Sequence, residues 1–284
     1  MNTGSALGVS AASPWRWPGG ARLAVWVIPN IEMFDEKYPV AGKPAGDTQA
    51  FAIREYGNRQ GLRRIRRLLE RYQIRATVAL NSRVAEVNPS LIGELSADGW
   101  EMMGHGDVNN RRLDSYATEE EGKVIRRGLE HIAAATGMQP KGWLSPGLLQ
   151  TPRTLSHLAD NGIEYVADFV NDDVPYTIDA GAGRTMYSIP YATEANDRVA
   201  YGEYSYQPDQ FADIVIRQFD YQYDEAADAS MVFPIALHPF LSGVPHRMPA
   251  LERILKHVVE ADGVWMATGS EIMAAHTAAM LEKV

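Results

Sequence analysis

The chain has 284 residues, of which 45% are hydrophobic and 22% charged, and its formal net charge is −9. This composition is typical of a folded globular protein and excludes a disordered, collagen-like or coiled-coil chain. The acidic balance argues against nucleic acid or a membrane surface as a partner. The absence of cysteine excludes disulfides, thiolate metal sites and a cysteine nucleophile.

The first 20 residues are rich in Gly, Ser, Ala and Pro. We predict that residues 1–20 form a flexible N-terminal arm ahead of a barrel domain over residues 21–284. No apolar run approaches the roughly 18 residues that span a bilayer, and the arm lacks the basic and apolar regions of a secretory signal. We therefore expect a cytoplasmic protein.

Beyond the arm, short apolar runs alternate with amphipathic stretches. The predicted strands are Leu23–Ile28, Ala76–Leu80, Trp100–Gly104, Gly142–Leu144, Tyr165–Phe169, Met186–Ile189, Met231–Leu237 and Gly263–Thr268. The predicted helices are Asn58–Tyr72, Glu119–Ala135, Pro152–Asn161, Pro208–Asp224 and Pro249–Ala261. This alternation indicates βα units and a mostly parallel sheet, and it fits one deformed (β/α) barrel better than two domains. Residues 33–52 and 171–205 are predicted as long loops that shape a site.

Polar side chains follow several predicted strands at the point where each strand ends. In parallel α/β proteins, catalytic groups gather at the carboxyl ends of the strands. The polar segments there are Pro29–Glu32, Gly104–Asn110, Ser145–Gly147, Asn171–Tyr176 and His238–Phe240. Two of the seven histidines, His105 and His238, lie in these segments, and we predict that both are catalytic.

Four of these segments together resemble a known family. They read GHGDVNN, a Gly-Trp-x-x-Pro strand end, DFVNDDVPY and ALHPF, and they are similar to the polysaccharide deacetylase superfamily (NodB homology, carbohydrate esterase family 4). REYGNRQG, followed by ATVALN, more narrowly resembles the branch of allantoinase-like proteins and bacterial cyclic imide hydrolases. The resemblance implies an α/β fold, a single-domain deformed (β/α) barrel of the NodB-homology type, and hydrolysis of C–N bonds other than peptide bonds.

The metal motifs of that family are altered in this chain. Asn30 stands where the family has an aspartate, with Glu32 two residues further on, and the family's His-x-x-x-His motif reads His105 and Asn109. Neutral asparagine is a poor Zn²⁺ ligand, and catalytic zinc sites keep three protein ligands. No cofactor is therefore predicted outright. Zn²⁺ stays an alternative, with Glu32 and His105 as its candidate ligands and Asp107 as a substitute.

Hydrolysis without a metal needs a base for water, an acid for the leaving nitrogen and donors for the developing oxyanion. We predict that Glu32 is the base and, from the resemblance, that His238 is the general acid. His105 would orient the water or bind the carbonyl oxygen. The amides of Asn30 and Asn109 each carry a donor and an acceptor, which match the edge of a cyclic imide or ureide.

Four further residues are candidate substrate contacts. Glu55 and Arg59 have the i, i+4 spacing that equally fits a surface ion pair. Trp143 fits either a stacking wall or the core. Asp172 fits either a solvated turn or a group that orients His105 or a substrate nitrogen.

The sequence favours a hydrolase that opens a small cyclic amide, imide or ureide. The alternative is a metal-dependent N-deacetylase of amino sugars or a related small amide, and a second alternative is an inactive barrel that binds a small ligand. Relatives in this branch imply a homo-oligomer, and we expect a tetramer in which Trp15 and Trp17 of the arm pack against a neighbouring subunit.

Overall fold

The computed structural model describes residues 15–227 and 229–281. Its strands are β1 (Leu23–Ile31), β2 (Thr77–Leu80), β3 (Glu101–Gly104), β4 (Gly142–Trp143), β5 (Tyr165–Val166), β6 (Tyr176–Gly181), β7 (Arg184–Ser188), β8 (Met231–Leu237) and β9 (Val264–Met266). Its helices are α1 (Thr48–Tyr56), α2 (Leu62–Arg71), α3 (Ser82–Val87), α4 (Pro89–Ala97), α5 (Thr118–Thr136), α6 (Thr154–Asp160), α7 (Asp197–Gly202), α8 (Pro208–Glu225), α9 (Met248–Val259) and α10 (Gly269–Leu281). A π-helical turn, Gly57–Gly61, joins α1 to α2.

The strands form one sheet in the order β6-β7-β5-β4-β3-β2-β1-β8, and β9 pairs with the first half of β1. Neighbouring strands are parallel except for the antiparallel pair β6–β7. In the part of the chain that the structure describes, no strand pairing links β8 to β6, so the curled sheet stays open. This is the single-domain deformed (β/α) barrel expected from the sequence, and that prediction is confirmed.

Strand β1 lies next to β8 near one end of the strand order and is fully enclosed by its neighbours. All nine of its residues are buried, and it pairs with β8, β9 and β2 along its length. A parallel strand that is covered on both faces reads as a continuous apolar run rather than an alternating one. The residues that follow β1 therefore emerge at the carboxyl edge directly beside those that follow β8, with only β2 between them and those that follow β3.

Most predicted strands form within a few residues of their expected bounds, but the long predicted loops are partly structured. Strand β6 and helix α7 lie within residues 171–205, and α1 begins within residues 33–52. All residues of β6 except Ala180 are exposed or half-buried, because β6 lies at the end of the strand order. It therefore lacks the apolar run by which the buried strands were predicted.

The part of the predicted arm that the structure describes packs against the barrel, while residues 1–14 lie outside the described residues. Trp17 is 1% exposed, and its indole N–H donates to the carbonyl oxygen of Met231 at 2.9 Å. Trp15 lies edge-on to Trp17, with ring centroids 4.4 Å apart. Trp17 is thus buried by its own chain rather than exposed as predicted, whereas Trp15 is half-buried. Packing of Trp15 against a neighbouring subunit stays a prediction. The homo-oligomer itself stays a prediction.

None of the helices in residues 15–227 and 229–281 combines the length and apolar character that crossing a membrane requires.

Candidate active site

Three buried titratable side chains meet at the carboxyl edge of the sheet. Glu32 follows β1, His105 follows β3 and His238 follows β8. Glu32 Oε1 lies 3.6 Å from Nε2 of His105 and 3.6 Å from Nε2 of His238. The three residues line a cleft of about 450 Å³, which is the size of a small-molecule site. The structure thus brings together the three residues predicted as catalytic, and their roles stay predictions.

The partner of His105 fixes its tautomer. Its Nδ1 lies 2.7 Å from the carbonyl oxygen of Leu144. Because a carbonyl oxygen only accepts, Nδ1 carries the hydrogen of the neutral ring. The Nε2 lone pair therefore faces Glu32 and can accept a hydrogen bond from a water molecule between them.

His238 has a carboxylate as its partner. Its Nδ1 lies 2.7 Å from Oδ1 of Asp197, which is fully buried at the first turn of α7. Asp197 also accepts the backbone N–H of His238 at 2.7 Å and the hydroxyl of Ser242 at 2.6 Å. Burial alone would lower the pKa of His238, but the Asp197 and Glu32 carboxylates together raise it above its usual value. The ring is thus held ready to carry a proton on Nε2, toward Glu32.

The π-helical turn packs directly against the loop that carries His238. A Cβ on Gly57 would lie 2.5 Å from the backbone nitrogen of Phe240, and one on Gly61 would overlap the carbonyl oxygen of Pro239. Asn58, between the two glycines, donates from Nδ2 to the backbone oxygen of Glu32 at 2.6 Å. The REYGNRQG segment therefore supports both Glu32 and His238, as π-helical turns often do at functional sites.

Two residues of the same segment that were predicted as substrate contacts lie outside the cleft. Glu55 and Arg59 have side chains that are 68% and 73% exposed, and they form an i, i+4 pair at 3.5 Å on the surface. They do not line the cleft. Arg54, which points about 100° away from Glu55 around the helix, is the residue of this segment that lines it. The prediction that this segment belongs to the site agrees with its contacts, but the choice of Glu55 and Arg59 as its substrate contacts was wrong.

Trp143 and Asp172 also lie elsewhere than predicted. Trp143 is 1% exposed within an apolar cluster, and its indole N–H donates to the hydroxyl of Ser145 at 3.0 Å, so it belongs to the core. Asp172 is exposed, and its carboxylate accepts the backbone N–H groups of Asp173 and Val174 at 2.8 and 3.1 Å. Asp172 therefore stabilises its own turn rather than reaching the cleft.

The two predicted asparagines both line the cleft, but they differ in whether their side-chain polar atoms already have hydrogen-bond partners. Asn30 is 2% exposed, and its amide nitrogen donates to the carbonyl oxygen of Ile28 at 3.2 Å and to the hydroxyl of Tyr191 at 3.1 Å. Asn109 has a buried Oδ1 with no partner among the described residues. A buried acceptor without a partner is costly, so Asn109 is the asparagine whose side chain is available to a ligand.

Sequence reasoning missed Asp168, which supports the wall of the cleft. Its carboxylate accepts the backbone N–H of Ser145 at 2.6 Å and its hydroxyl at 2.8 Å, and Gln150 donates to it as well. Burial raises the pKa of Asp168 although these hydrogen bonds oppose the change. The signal was present in DFVNDDVPY, whose first aspartate, not Asp172, supports the site.

The donor set does not fit the metal site of the family. Within residues 15–227 and 229–281, no three histidine, aspartate or glutamate side chains are placed to hold a metal ion. Asn30 offers only a neutral amide oxygen, which accepts from the hydroxyl of Tyr191 at 3.4 Å, and the carboxylate of the substitute ligand Asp107 pairs with Arg83 at 3.2 Å.

Comparison with known proteins agrees with the sequence resemblance. The family model described as polysaccharide deacetylase matches residues 50–166. A predicted polysaccharide deacetylase of Schizosaccharomyces pombe is 25% identical over 302 residues, covering 92% of both chains. A peptidoglycan deacetylase of Helicobacter pylori is 24% identical over 247 residues, covering 75% of this chain and 82% of that protein.

Solved structures match almost the whole chain. The structure of Puue allantoinase superposes with a TM-score of 0.83 at 25% identity and covers 93% of this chain and 94% of that one. That of a probable polysaccharide deacetylase from Pseudomonas aeruginosa PAO1 has a TM-score of 0.83 at 27% identity and covers 92% and 94%. Residues 50–166 therefore match the polysaccharide deacetylase family, and the open barrel is the NodB-type fold of these solved structures.

Proposed function

We propose that this protein hydrolyses carbon–nitrogen bonds other than peptide bonds, and that its reaction opens a small cyclic amide, imide or ureide. The observation that carries this proposal is the Glu32 carboxylate between two imidazole nitrogens at 3.6 Å, one on a ring built to hold a proton. The similarity to an allantoinase and to deacetylases supports the same bond class.

The first step is the attack of water on a ring carbonyl. A water molecule between Glu32 and His105 donates one hydrogen bond to Oε1 and the other to Nε2, because both atoms accept. As the water oxygen bonds to the carbonyl carbon, its proton passes to Glu32. Asn109, whose side chain has unused hydrogen-bonding capacity, is placed to bind the edge of the ring.

The second step is the departure of nitrogen. His238 gives the proton on Nε2 to the ring nitrogen, the C–N bond breaks, and the carbonyl re-forms as a carboxylic acid group. The proton held by Glu32 returns to His238, which lies 3.6 Å away. The net change is one water added across the C–N bond, and a ring substrate keeps both halves in one product.

The test is ring opening by protein treated with EDTA, measured on succinimide, hydantoin and dihydrouracil. Glu32→Gln should lose roughly 10²–10⁴-fold in turnover, because the amide cannot accept the proton of water. Glu70→Gln, at an exposed position of α2, is the matched control and should behave like the unmodified protein. Abolition of activity by EDTA with recovery on Zn²⁺ or Mn²⁺ would contradict the metal-free mechanism.

A second candidate is N-deacetylation of amino sugars, which the names of the deacetylase relatives favour. Acetate release from N-acetylglucosamine oligomers, with and without added Zn²⁺, distinguishes the two. Acetate release without ring opening would select the deacetylase. The absence of both reactions, with retained binding of a small ring, would select an inactive binding barrel.

A further inference from the structure

Arginines dominate the fixed charges of the cleft. Its lining includes the three arginines Arg54, Arg112 and Arg198 and the two glutamates Glu32 and Glu203. Glu32 faces the two catalytic histidines. Among the residues that the structure describes, none of the three arginines forms an ion pair. The lining therefore carries one more arginine than glutamate, and its guanidinium groups are not held in ion pairs.

Arg54 is held rigidly at the wall of this cleft. Its guanidinium carbon lies 4.6 Å from the ring centroid of Phe34 and 5.2 Å from that of Phe240, and Nη1 donates to the carbonyl oxygen of Ala50 at 2.8 Å. Its Nε is buried without a partner. An unused donor on a half-buried guanidinium is costly in the free protein, and an acceptor on a ligand removes that cost.

Arg198 extends the positive charge toward the reacting groups. It follows Asp197, the partner of His238. Burial lowers the pKa of Arg54 below its usual value, with Glu32 opposing the change and Arg198 adding to it. Arg198 also acts against the protonation of His238. Like charges that line one cleft repel each other, and an anion bound beside them relieves that repulsion.

Resting on the function proposed above, we propose that the substrate is a cyclic amide, imide or ureide that carries a carboxylate, bound by Arg54 and Arg198. Guanidinium groups bind carboxylates through paired, charge-assisted hydrogen bonds. The two phenylalanine rings hold the plane of Arg54, which reduces the entropy lost when the carboxylate binds. The ring carbonyl would then face Glu32 and His238 while the carboxylate fixes which carbonyl is attacked.

The probe pair is hydantoin-5-acetic acid and its methyl ester, which share the ring and differ in charge. Calorimetric binding to Glu32→Gln protein tests the arginines without depending on turnover. The acid should bind about tenfold more tightly than the ester, or better, since a charge-assisted pair is lost in the ester. Double replacement by Arg54→Met and Arg198→Met should bring that ratio close to one. Arg63→Gln, which removes an exposed charge from α2, should keep the ratio.

Equal binding of acid and ester, or a ratio unchanged in the double variant, would overturn the carboxylate assignment. Ring opening by the unmodified Glu32 protein is measured separately. Preferred binding of the acid without ring opening would overturn the proposed reaction while leaving the anion site in place. Ring opening of the ester as fast as the acid, with equal KM, would leave the reaction in place and remove the anion site.

Discussion

His105 and His238 stand at the same distance from one carboxylate oxygen, yet they are held by different chemistry. The far nitrogen of His105 faces the neutral carbonyl of Leu144, whereas that of His238 faces the carboxylate of Asp197. A neutral acceptor fixes the tautomer without adding charge, but a carboxylate also favours the imidazolium. In the proposed reaction, the partner behind each ring, rather than the ring's position beside Glu32, decides that His105 accepts hydrogen bonds and His238 donates a proton.

The largest effect on turnover should come from replacing each of the two histidines separately. His105→Ala and His238→Ala should each lower turnover by roughly 10²-fold or more, the usual size for an acid–base group. They should differ in how the loss depends on the leaving nitrogen. With His238→Ala, rings whose nitrogen leaves easily should keep more activity, because they need less protonation. Rates measured over a series of substituted hydantoins would show this as a steeper dependence on leaving-group pKa.

If the rate of neither variant depended on leaving-group pKa, the assignment of His238 as the acid would be contradicted. A steeper dependence in His105→Ala than in His238→Ala would reverse the two assigned roles. His131→Ala on α5, at a half-buried position outside the cleft, is the control. Its slope and its rate should match those of the unmodified protein.

A smaller change should come from removing only the charge behind His238. Asp197→Asn keeps an acceptor for the ring but removes the negative charge that raises the pKa of His238. That pKa should therefore fall. Because the acid acts in its protonated form, the alkaline limb of the kcat/KM profile should move to lower pH, while the acid limb is set by other groups. A profile with an unmoved alkaline limb would mean that another group donates the proton.

The sequence predicted the buried strands well because a parallel strand that is covered on both faces consists of a run of apolar residues. β8 (Met231–Leu237) forms with the predicted bounds, and β1 only extends further, through Ile31. It also predicted Glu32, His105 and His238, since strand order alone brings strand ends together. Asp197 could not be predicted in the same way, because it lies on a short helix inside a segment interpreted as a loop.

The wrong predictions share a physical cause, namely that spacing in the sequence does not fix which way a side chain faces. Glu55 and Arg59 fitted the surface and the cleft equally well, and the rotation of α1 and the π-helical turn decided between them. Trp143 fitted both the core and a stacking wall, and the depth of β4 decided. Which aspartate of DFVNDDVPY supports the site depended on the pairing of Ser145 with Asp168, a contact between separate loops.

The inner face of the REYGNRQG segment offers a test of how closely the loop behind His238 must be held. Gly61→Ala places a Cβ where the carbonyl oxygen of Pro239 lies, so the helix and the His238 loop must separate. Overpacking of this kind typically costs about 1–3 kcal/mol, and we expect a lower free energy of unfolding in urea together with reduced turnover. Gly137→Ala, at a positive φ of 74° but with open space around it, separates backbone strain from crowding. A loss of stability without a loss of turnover in Gly61→Ala would mean that His238 tolerates movement of its loop.

The smallest effect should come from the outer face of the same segment. Glu55→Gln and Arg59→Gln each break a solvent-exposed ion pair at 3.5 Å, and exposed pairs of this spacing contribute only about 0.3–0.5 kcal/mol. Turnover, KM and the preference for a carboxylate-bearing ring should all stay as in the unmodified protein, because neither side chain lines the cleft. Thermal unfolding and the hydantoin-5-acetate to methyl ester binding ratio check both expectations. A changed ratio in Arg59→Gln would show that this arginine turns inward when substrate binds, and the exposed pair would then be part of the site after all.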